Sequence, residues 1–284
     1  MAVRGLHRLL RAARGVRGPA RAARTQAPAR TRPSRGQRSP SKRPVRRLDG
    51  VAALITGASS GIGRGLARVF LREGARVFLT ARGEERLRET AGELEAAHPG
   101  RTGYAASDVG NPGSAAAMTR AALGRFPDLS VLVNNASVLG VRAPIIEQDP
   151  EVWAETLRIN TAGLLYVTKP LLPAFLERET ASIINVSSTV GRIGKPNWGP
   201  YAVSKFGLEG FTQTLAAELA DTGVRVNSVN PGATRTPMRA AAYPAEDPLT
   251  LPTPEEIAEV FVHLASPESA GITGQALNAR DYLP

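Results

Sequence analysis

Apolar and polar positions alternate along residues 51–264 with two different spacings. Short apolar runs predict buried strands at Val51–Thr56, Ala75–Thr80, Leu129–Val133, Ala181–Val186 and Val224–Val229. Helical spacing is found at Gly61–Glu73, Glu84–Ala97, Ala115–Phe126, Trp153–Leu176, Tyr201–Leu219 and Glu255–Leu264. Strands that alternate with helices are typical of a parallel sheet covered on both faces. We therefore predict an α/β fold with three α/β/α layers, in which one doubly wound parallel sheet forms a single domain.

The first 47 residues have a different composition from the rest of the chain. They contain 14 arginines and Lys42, and no acidic residue occurs before Asp49. Because they are poor in large apolar residues, we predict a disordered tail at 1–47 and a folded domain at 48–284. The whole chain carries a formal charge of +11, but residues 48–284 carry 21 basic and 25 acidic side chains. The domain is thus mildly acidic, and no nucleic-acid binding is expected through it.

Three interpretations of the tail remain open. An arginine-studded amphipathic helix near residues 1–18, with Leu6, Leu9 and Leu10 on it, would suit an organellar transit peptide. The arginines would also suit nucleic acid or an anionic membrane. The third interpretation is an over-extended start in GC-rich DNA. The expected location is cytoplasmic if the tail is spurious and the mitochondrial matrix if it is a transit peptide.

Several classes of function are disfavoured by what the sequence lacks. No run of about 18 apolar residues occurs, so no membrane span is expected. The absence of cysteine excludes disulfides, thiolate catalysis and cysteine-ligated metals. His7, His98 and His263 are far apart and lack the spacing of metal ligands, so we expect no metal site.

A glycine-rich turn separates the first predicted strand from the first predicted helix. Gly57 permits a tight exit from the strand, Gly61 lets the backbone approach a pyrophosphate, and Gly63 allows close packing of the helix. The helix N-terminus offers free N–H groups to phosphates. This placement indicates a dinucleotide site in a Rossmann fold rather than a purely structural turn. The residues predicted to hold the cofactor here are Gly57, Ser59, Ser60, Gly61, Ile62 and Gly63.

The end of the second strand bears on which nicotinamide cofactor is used. NAD-selective sites usually place an acid there, whereas this strand ends Thr80-Ala81-Arg82. Arg82 can pair with a 2′-phosphate, which favours NADP(H) over NAD(H). The alternative is a solvated arginine at a strand end. Asp108 would follow a further strand, the third along the chain, which comes after the helix predicted at Glu84–Ala97. There it is placed to accept a hydrogen bond from an adenine amino group, although a simple loop carboxylate fits nearly as well.

Tyr201 and Lys205 are four residues apart and lie on one face of a predicted helix. A phenol with a pKa of about 10 exchanges protons poorly near neutrality, and a neighbouring ammonium is expected to lower that pKa. Ser188 follows a buried strand 13 residues before Tyr201. At the carboxyl edge of the sheet its hydroxyl would meet the substrate oxygen that Tyr201 protonates.

Taken together, these motifs resemble the single-domain branch of the short-chain dehydrogenase/reductase family over about residues 48–280. The resemblance is carried by Thr56–Gly63, Asp108-Val109, Asn134-Asn135-Ala136, Asn160, Ser188, Tyr201 with Lys205, and Pro231-Gly232 with Thr236. Further stretches are similar to the bacterial YciK-like group, namely 138–140, 191–199 and 232–239.

The resemblance implies roles for residues that spacing alone does not explain. Asn160 would hold a water in a proton relay and complete a catalytic set with Ser188, Tyr201 and Lys205. The remaining cofactor contacts would come from Val109, Asn134, Ala136, Pro231, Gly232 and Thr236. It also implies a homodimer or homotetramer, paired through the helices near Ala162–Leu176 and Tyr201–Leu219.

Two residues depart from the family pattern. Ser137 stands where glycine usually follows Asn-Asn-Ala, and a positive φ there would strain a serine by roughly a kcal/mol. Ser60 stands where some NADP-preferring relatives carry a basic residue, so 2′-phosphate selection would rest on Arg82, with Arg64 as a candidate helper.

We therefore predict an oxidoreductase that transfers a hydride between NADP(H) and a small carbonyl or secondary alcohol, with Tyr201 as general acid/base. The spacing from Tyr201 to Lys205 resembles that of the family's carbonyl reductases. Residues 237–254 would form at most a modest lid. Side chains considered for the substrate pocket are Trp198, Met238, Tyr243, Arg192, Lys195, Arg235 and Arg239. The alternative is a non-catalytic dinucleotide-binding sensor or scaffold.

Overall fold

The computed structural model describes residues 46–283, so the tail interpretations fall almost wholly outside the described residues. The strands are β1 (Ala52–Thr56), β2 (Arg76–Ala81), β3 (Thr102–Ala106), β4 (Val131–Asn134), β5 (Ala181–Val186), β6 (Val224–Asn230) and β7 (Ala276–Asn278). The helices are α1 (Gly61–Arg72), α2 (Glu84–Ala97), α3 (Pro112–Arg125), α4 (Pro150–Leu157), α5 (Gly163–Leu176), α6 (Gly199–Glu218), α7 (Pro237–Ala242) and α8 (Glu259–Ala265).

The seven strands form one parallel sheet in the order β3-β2-β1-β4-β5-β6-β7. Central strands are buried on both faces, which explains why β1 reads as a continuous apolar run rather than an alternating one. Ile55 belongs to a core with Phe70 of α1 and Phe261 of α8. Leu54 faces the opposite core, which includes Phe175 of α5. The predicted doubly wound, three-layer α/β/α architecture is confirmed.

The chain reverses its direction across the sheet at β1. This strand pairs with β2 on one side and β4 on the other, so Leu54 lies between Phe78 and Leu132. Connections leave the two sides of β1 in opposite directions, which opens a crevice beyond the carboxyl ends of the strands. The candidate site lies in that crevice.

Two local features differ from the sequence expectation. The helix predicted at Trp153–Leu176 is interrupted by a π-helical turn at Arg158–Ala162, with α4 before it and α5 after it. The edge strand β7 was not predicted because three residues are too few to show a spacing. Between residues 46 and 283, no helix is both long and apolar enough to cross a membrane.

Candidate active site

The glycine turn between β1 and α1 has the geometry that its sequence predicts. Gly57 and Gly61 have φ of +67° and +52°, a region that favours glycine. A Cβ atom built on Gly63 would lie 2.4 Å from the Gly57 carbonyl oxygen and 2.6 Å from the Asn135 amide nitrogen. The first turn of α1 therefore packs directly on the strand exit and on the neighbouring β4 segment, leaving its N-terminus to face the crevice.

A cavity of about 330 Å³ runs along the carboxyl edge of the sheet. It brings together residues that are far apart in the sequence but follow neighbouring strands. Predicted cofactor residues on its wall are Gly57, Ser59, Ser60, Gly61, Ile62, Arg82, Val109, Ala136, Tyr201, Lys205, Pro231 and Thr236. A smaller cavity of about 100 Å³ shares Tyr201, Pro231 and Thr236 with it and is also lined by Ser188 and Gly232.

Arg82 lies exposed at the end of β2, where it lines one end of the large cavity. Arg64, considered as its helper, instead pairs with Glu93 of α2. Of the two guanidiniums, that of Arg82 borders the cavity, and its charge makes a minor contribution to the lowered pKa of Asp108.

Asp108 is engaged by groups of the chain itself. Its carboxylate accepts the Gly110 N–H at 2.9 Å and the Arg158 guanidinium at 3.0 Å. Burial alone would raise the pKa of Asp108, but these hydrogen bonds outweigh it and the pKa is lowered. The next residue, Val109, lines the cavity. Arg158, which the sequence analysis missed, begins the π-helical turn and thereby ties it to the end of β3.

The asparagine pair at the end of β4, Asn134 within the strand and Asn135 just after it, corrects one prediction. The Asn134 side chain is buried, and its amide donates to Asn185 Oδ1 at 2.9 Å and to Thr168 Oγ1 at 3.2 Å. It therefore braces β4 against β5 and α5. Asn135 lines the cavity instead and donates to the Thr56 carbonyl at 2.8 Å. Alternation along the chain places only one of the two side chains toward the crevice.

Asn160 lies in the π-helical turn and its side chain is fully committed. Its Oδ1 accepts the Val138 N–H at 2.8 Å, and its Nδ2 donates to the Val138 carbonyl at 2.8 Å and to Ser204 Oγ at 3.0 Å. Ser204 in turn donates to the Tyr201 carbonyl at 2.7 Å. The amide thus links the segment after β4 to the helix α6.

Tyr201, Ser188 and Lys205 meet where the two cavities join. Burial raises the pKa of Tyr201 to about 12, and the nearby hydroxyls of Ser188 and Ser137 oppose this rise. The pKa of Lys205 is lowered to about 8, mainly by burial, which the charge of Glu209 opposes. Lys205 Nζ donates to the Val186 carbonyl at 2.7 Å and lies 5.5 Å from the Tyr201 ring centre.

The expected lowering of the Tyr201 pKa by Lys205 is therefore wrong for the protein alone. Both side chains are buried, at 9% and 3% exposure. Removal from water disfavours the charged form of each group, so the phenol stays protonated and the amine loses its proton more easily. Desolvation is the largest cause of both pKa shifts.

Glu209 is a buried carboxylate that the sequence analysis missed. It accepts hydrogen bonds from Ser187 and Ser228, both at 2.6 Å, and from Arg192 Nε at 3.1 Å. It follows Lys205 by one helical turn, so a scan of the Tyr201 face of α6 for carboxylates would have found it. Arg192, considered for the substrate, is thereby assigned to this network.

The other candidate substrate residues surround the small cavity. Trp198 and Met238 line it, and Tyr243 packs on Trp198 with ring centres 6.0 Å apart. The Arg142 guanidinium lies over the Trp198 and Tyr243 rings, at 4.6 and 4.8 Å from their centres. This arginine, also missed from the sequence, connects the loop after β4 to α7. The Trp198 part of the wall is therefore supported from behind by Tyr243 and by the Arg142 cation.

The cations expected to attract an acidic substrate are engaged elsewhere. Arg239 pairs with Glu246 at 2.6 Å, and Arg235 donates to the carbonyls of Pro248 and Leu251. These contacts fix residues 237–251 around the helix α7. Lys195 is exposed.

Backbone strain at Ser137 is not observed. Asn197, with φ of 66°, is the one non-glycine residue with positive φ among those that the structure describes. Ser137 therefore adopts a conformation open to any residue, and the strain considered for a serine at this position does not arise.

The short chain dehydrogenase family model matches residues 51–247. The chain belongs to this family, whose members are oxidoreductases. Oxidoreductase YciK of Escherichia coli is 38% identical over 229 residues, which cover 80% of this chain and 90% of that protein. The 3-oxoacyl-[acyl-carrier-protein] reductase FabG of Thermotoga maritima is 35% identical over 239 residues, covering 81% and 96%.

Solved structures give the same result. A short chain dehydrogenase from Shigella flexneri, complexed with NADP, superposes with a TM-score of 0.80 at 37% identity. The match covers 83% of this chain and 99% of that one. The fold is thus that of a family in which a solved member is complexed with NADP.

Proposed function

We propose that the protein is an NADP(H)-dependent reductase or dehydrogenase that acts on a small carbonyl or secondary alcohol. The observation that carries this proposal is the meeting of Tyr201, Ser188 and Lys205 at the point where the glycine-lined cavity opens into the aromatic one. A proton donor thus lies between a place for a dinucleotide and a place for a substrate.

The residues around the large cavity fit NADP(H). The N-terminus of α1 presents free N–H groups for the pyrophosphate, and a side chain at Gly63 would displace α1 from the strand exit at the Gly57 carbonyl. Arg82 supplies the charge for a 2′-phosphate. Lys205 and Thr236 line the wall toward the small cavity, where the nicotinamide half would lie. When bound, NADPH supplies the hydride.

Tyr201 is suited to donate the proton in the reductive direction. With a pKa of about 12 it holds its proton at neutral pH and can pass it to the substrate oxygen. Lys205, with a pKa of about 8, carries its charge below that pH and stabilises the phenolate that the transfer leaves. The Ser188 hydroxyl holds the substrate oxygen in place beside Tyr201 and Lys205.

Asn160 supports the proton path through its backbone rather than its amide. Its side chain is occupied by Val138 and Ser204. The π-helical turn interrupts the regular helical hydrogen bonding there, and such turns free backbone groups at functional sites. We propose that a main-chain carbonyl of this turn holds the relay water.

Ketones with a short acyl chain are the first substrates to test. The small cavity is bounded by Trp198 and Met238 and shows no free cation for an acidic group among the described residues on its wall. FabG of Thermotoga maritima is named for a 3-oxoacyl substrate. A panel of 3-oxo thioesters, aldehydes and cyclic ketones, followed by loss of NADPH absorbance, distinguishes these classes.

A homodimer or homotetramer is proposed from the surface of the two long helices. Leu165 on α5 and Val203 and Phe206 on α6 are large apolar side chains that remain 47–48% exposed. Exposed apolar groups on adjacent elements are typical of an interface between subunits. Light scattering after chromatography should give at least twice the mass of one 30.0 kDa chain.

Thermal unfolding with and without cofactor tests the proposal before any substrate is known. At about 100 times its Kd, a ligand of the folded state adds roughly 2.7 kcal/mol. We expect a clear rise in Tm with NADPH and a smaller one with NADH. Absence of a rise with either would contradict the cofactor assignment, and binding without turnover on any carbonyl would favour a sensor.

A further inference from the structure

Ser137 lies in a segment whose backbone is fixed on both sides. The Ala136 N–H donates to Thr56 Oγ1 at 2.9 Å, and the Val138 N–H donates to Asn160 Oδ1 at 2.8 Å. Thr56 belongs to β1 and Asn160 to the π-helical turn, so two separate elements hold this short segment. The position of the Ser137 side chain is therefore set by the frame of the site and not by loop motion.

The Ser137 hydroxyl is buried without a hydrogen-bond partner. Between residues 46 and 283, three side-chain oxygens share this condition, those of Thr102, Ser137 and Gln148. Of the three, Ser137 is the residue that lines the large cavity, where it is joined by Tyr201 and Lys205. A buried hydroxyl that makes no hydrogen bond is costly and calls for an explanation, such as a catalytic role.

A nearby ionisable group on the same cavity wall is the Tyr201 phenol. Ser137 and Ser188 lie near enough to favour its ionised form and to oppose the effect of burial on its pKa, although the Ser137 hydroxyl makes no hydrogen bond to the neutral phenol. A phenolate left by proton transfer needs donors, because burial deprives it of water. Lys205 donates one N–H to the Val186 carbonyl at 2.7 Å, so a hydroxyl donor beside the phenol would add to the stabilisation that the Lys205 charge supplies.

We propose that Ser137 is a second serine of the catalytic centre, which donates its hydroxyl hydrogen to the Tyr201 oxygen when that oxygen is ionised. In the reductive direction the Tyr201 O–H bond breaks, its proton goes to the substrate oxygen, and the Ser137 O–H bond stays intact while it stabilises the anion. The role of Ser137 during turnover rests on the proposed function. Glycine, the residue usual here in the family, has no hydroxyl for this purpose.

Ionisation of Tyr201 itself gives the test, without substrate or cofactor. Tyr201 is replaced by 3,5-difluorotyrosine, whose more acidic phenol titrates while the protein is folded, and fluorine NMR reports its pKa at that one position. We expect Ser137→Ala to raise this pKa by about one pH unit, because loss of a donor to the charged form disfavours that form. Ser137→Thr, which keeps the hydroxyl, should restore most of the original value.

Ser107→Ala is the matched control, since Ser107 also lines the cavity but hydrogen-bonds to Ser114 at 3.0 Å. It should leave the fluorotyrosine pKa unchanged. An unchanged pKa in Ser137→Ala, with the fold verified by its Tm, would overturn the proposal. Because the titration needs no turnover, failure to find a substrate would count against the proposed function and not against Ser137.

Discussion

At the Arg82 end of the large cavity the polar groups are exposed, whereas at the Tyr201 end they are buried. Arg82 reaches solvent, and the α1 N-terminus offers backbone N–H groups. Tyr201 and Lys205 are buried, and burial moves their pKa values to about 12 and about 8. Under the proposed function, one end would select the cofactor by charge and close backbone approach, and the other would hold a proton ready for transfer by excluding water.

This difference means that the two ends should fail separately. A change at the exposed end should weaken cofactor binding and leave the chemical step intact. A change at the buried end should stop the chemistry and leave binding nearly unaltered.

The largest effect is expected for Tyr201→Phe. Loss of the proton donor should lower kcat for carbonyl reduction by about 10²–10⁴-fold. The Kd for NADPH should stay within a few-fold, measured by fluorescence titration. Tyr104→Phe, on the outer strand β3, is the control and should keep its turnover. Near-normal turnover in Tyr201→Phe would rule out its role as the acid.

Arg82→Ala should weaken NADPH binding by about 10- to 100-fold, the range expected for a charge-assisted hydrogen bond. NADH affinity should change little, because NADH lacks the 2′-phosphate. Titration with each cofactor gives the ratio, and Arg86→Ala on the exposed face of α2 is the matched control. Equal losses for both cofactors would show that Arg82 does not select the phosphate.

Lys205→Met should reveal how much the charge of the buried Lys205 side chain lowers the free energy of unfolding. The folded-state pKa of about 8 is below the ordinary 10.5, so at pH 7 the folded wild-type protein holds an unfavourable charge. Raising the pH through 8 removes that charge from the folded state first, and wild-type stability gains. The free energy of unfolding of Lys205→Met, relative to wild type, should therefore fall by about 2 kcal/mol from pH 7 to pH 9.5. Urea unfolding at the two pH values measures it, and a constant difference would contradict the shifted pKa.

Gly63→Ala should lower NADPH affinity about tenfold or more, because its Cβ would meet the Gly57 carbonyl oxygen at 2.4 Å and displace the turn. Gly92→Ala, where a Cβ meets open space on α2, is the control. Calorimetric titration checks both variants. Unaltered binding in Gly63→Ala would show that the turn can shift without losing the phosphate site.

The features that the sequence predicts well are those that depend on local rules. The glycine turn, Arg82 and the Tyr201–Lys205 pair rest on local rules of backbone conformation and helical spacing, and the structure brings them to one cavity. The alternation of strands and helices likewise predicts the doubly wound sheet, because it depends only on which positions are buried.

Properties that depend on tertiary contacts could not be predicted. The sequence does not show that Asn134 faces away from the cavity while Asn135 faces it. Nor does it show that burial outweighs Lys205 in setting the Tyr201 pKa, since desolvation depends on what all neighbouring elements cover. The position of Arg142 over two aromatic rings depends on a loop and on α7, which have no periodic signal.

Transfer of a labelled hydride tests the proposed function most directly. The wild-type protein is incubated with NADPH that carries deuterium at the transferable position and with the carbonyl panel, and the products are analysed by mass spectrometry. We expect an alcohol with one deuterium on the former carbonyl carbon, and its loss in Tyr201→Phe. If NADPH binds but no carbonyl in the panel acquires deuterium, the protein is a nucleotide-binding member of the family without this chemistry.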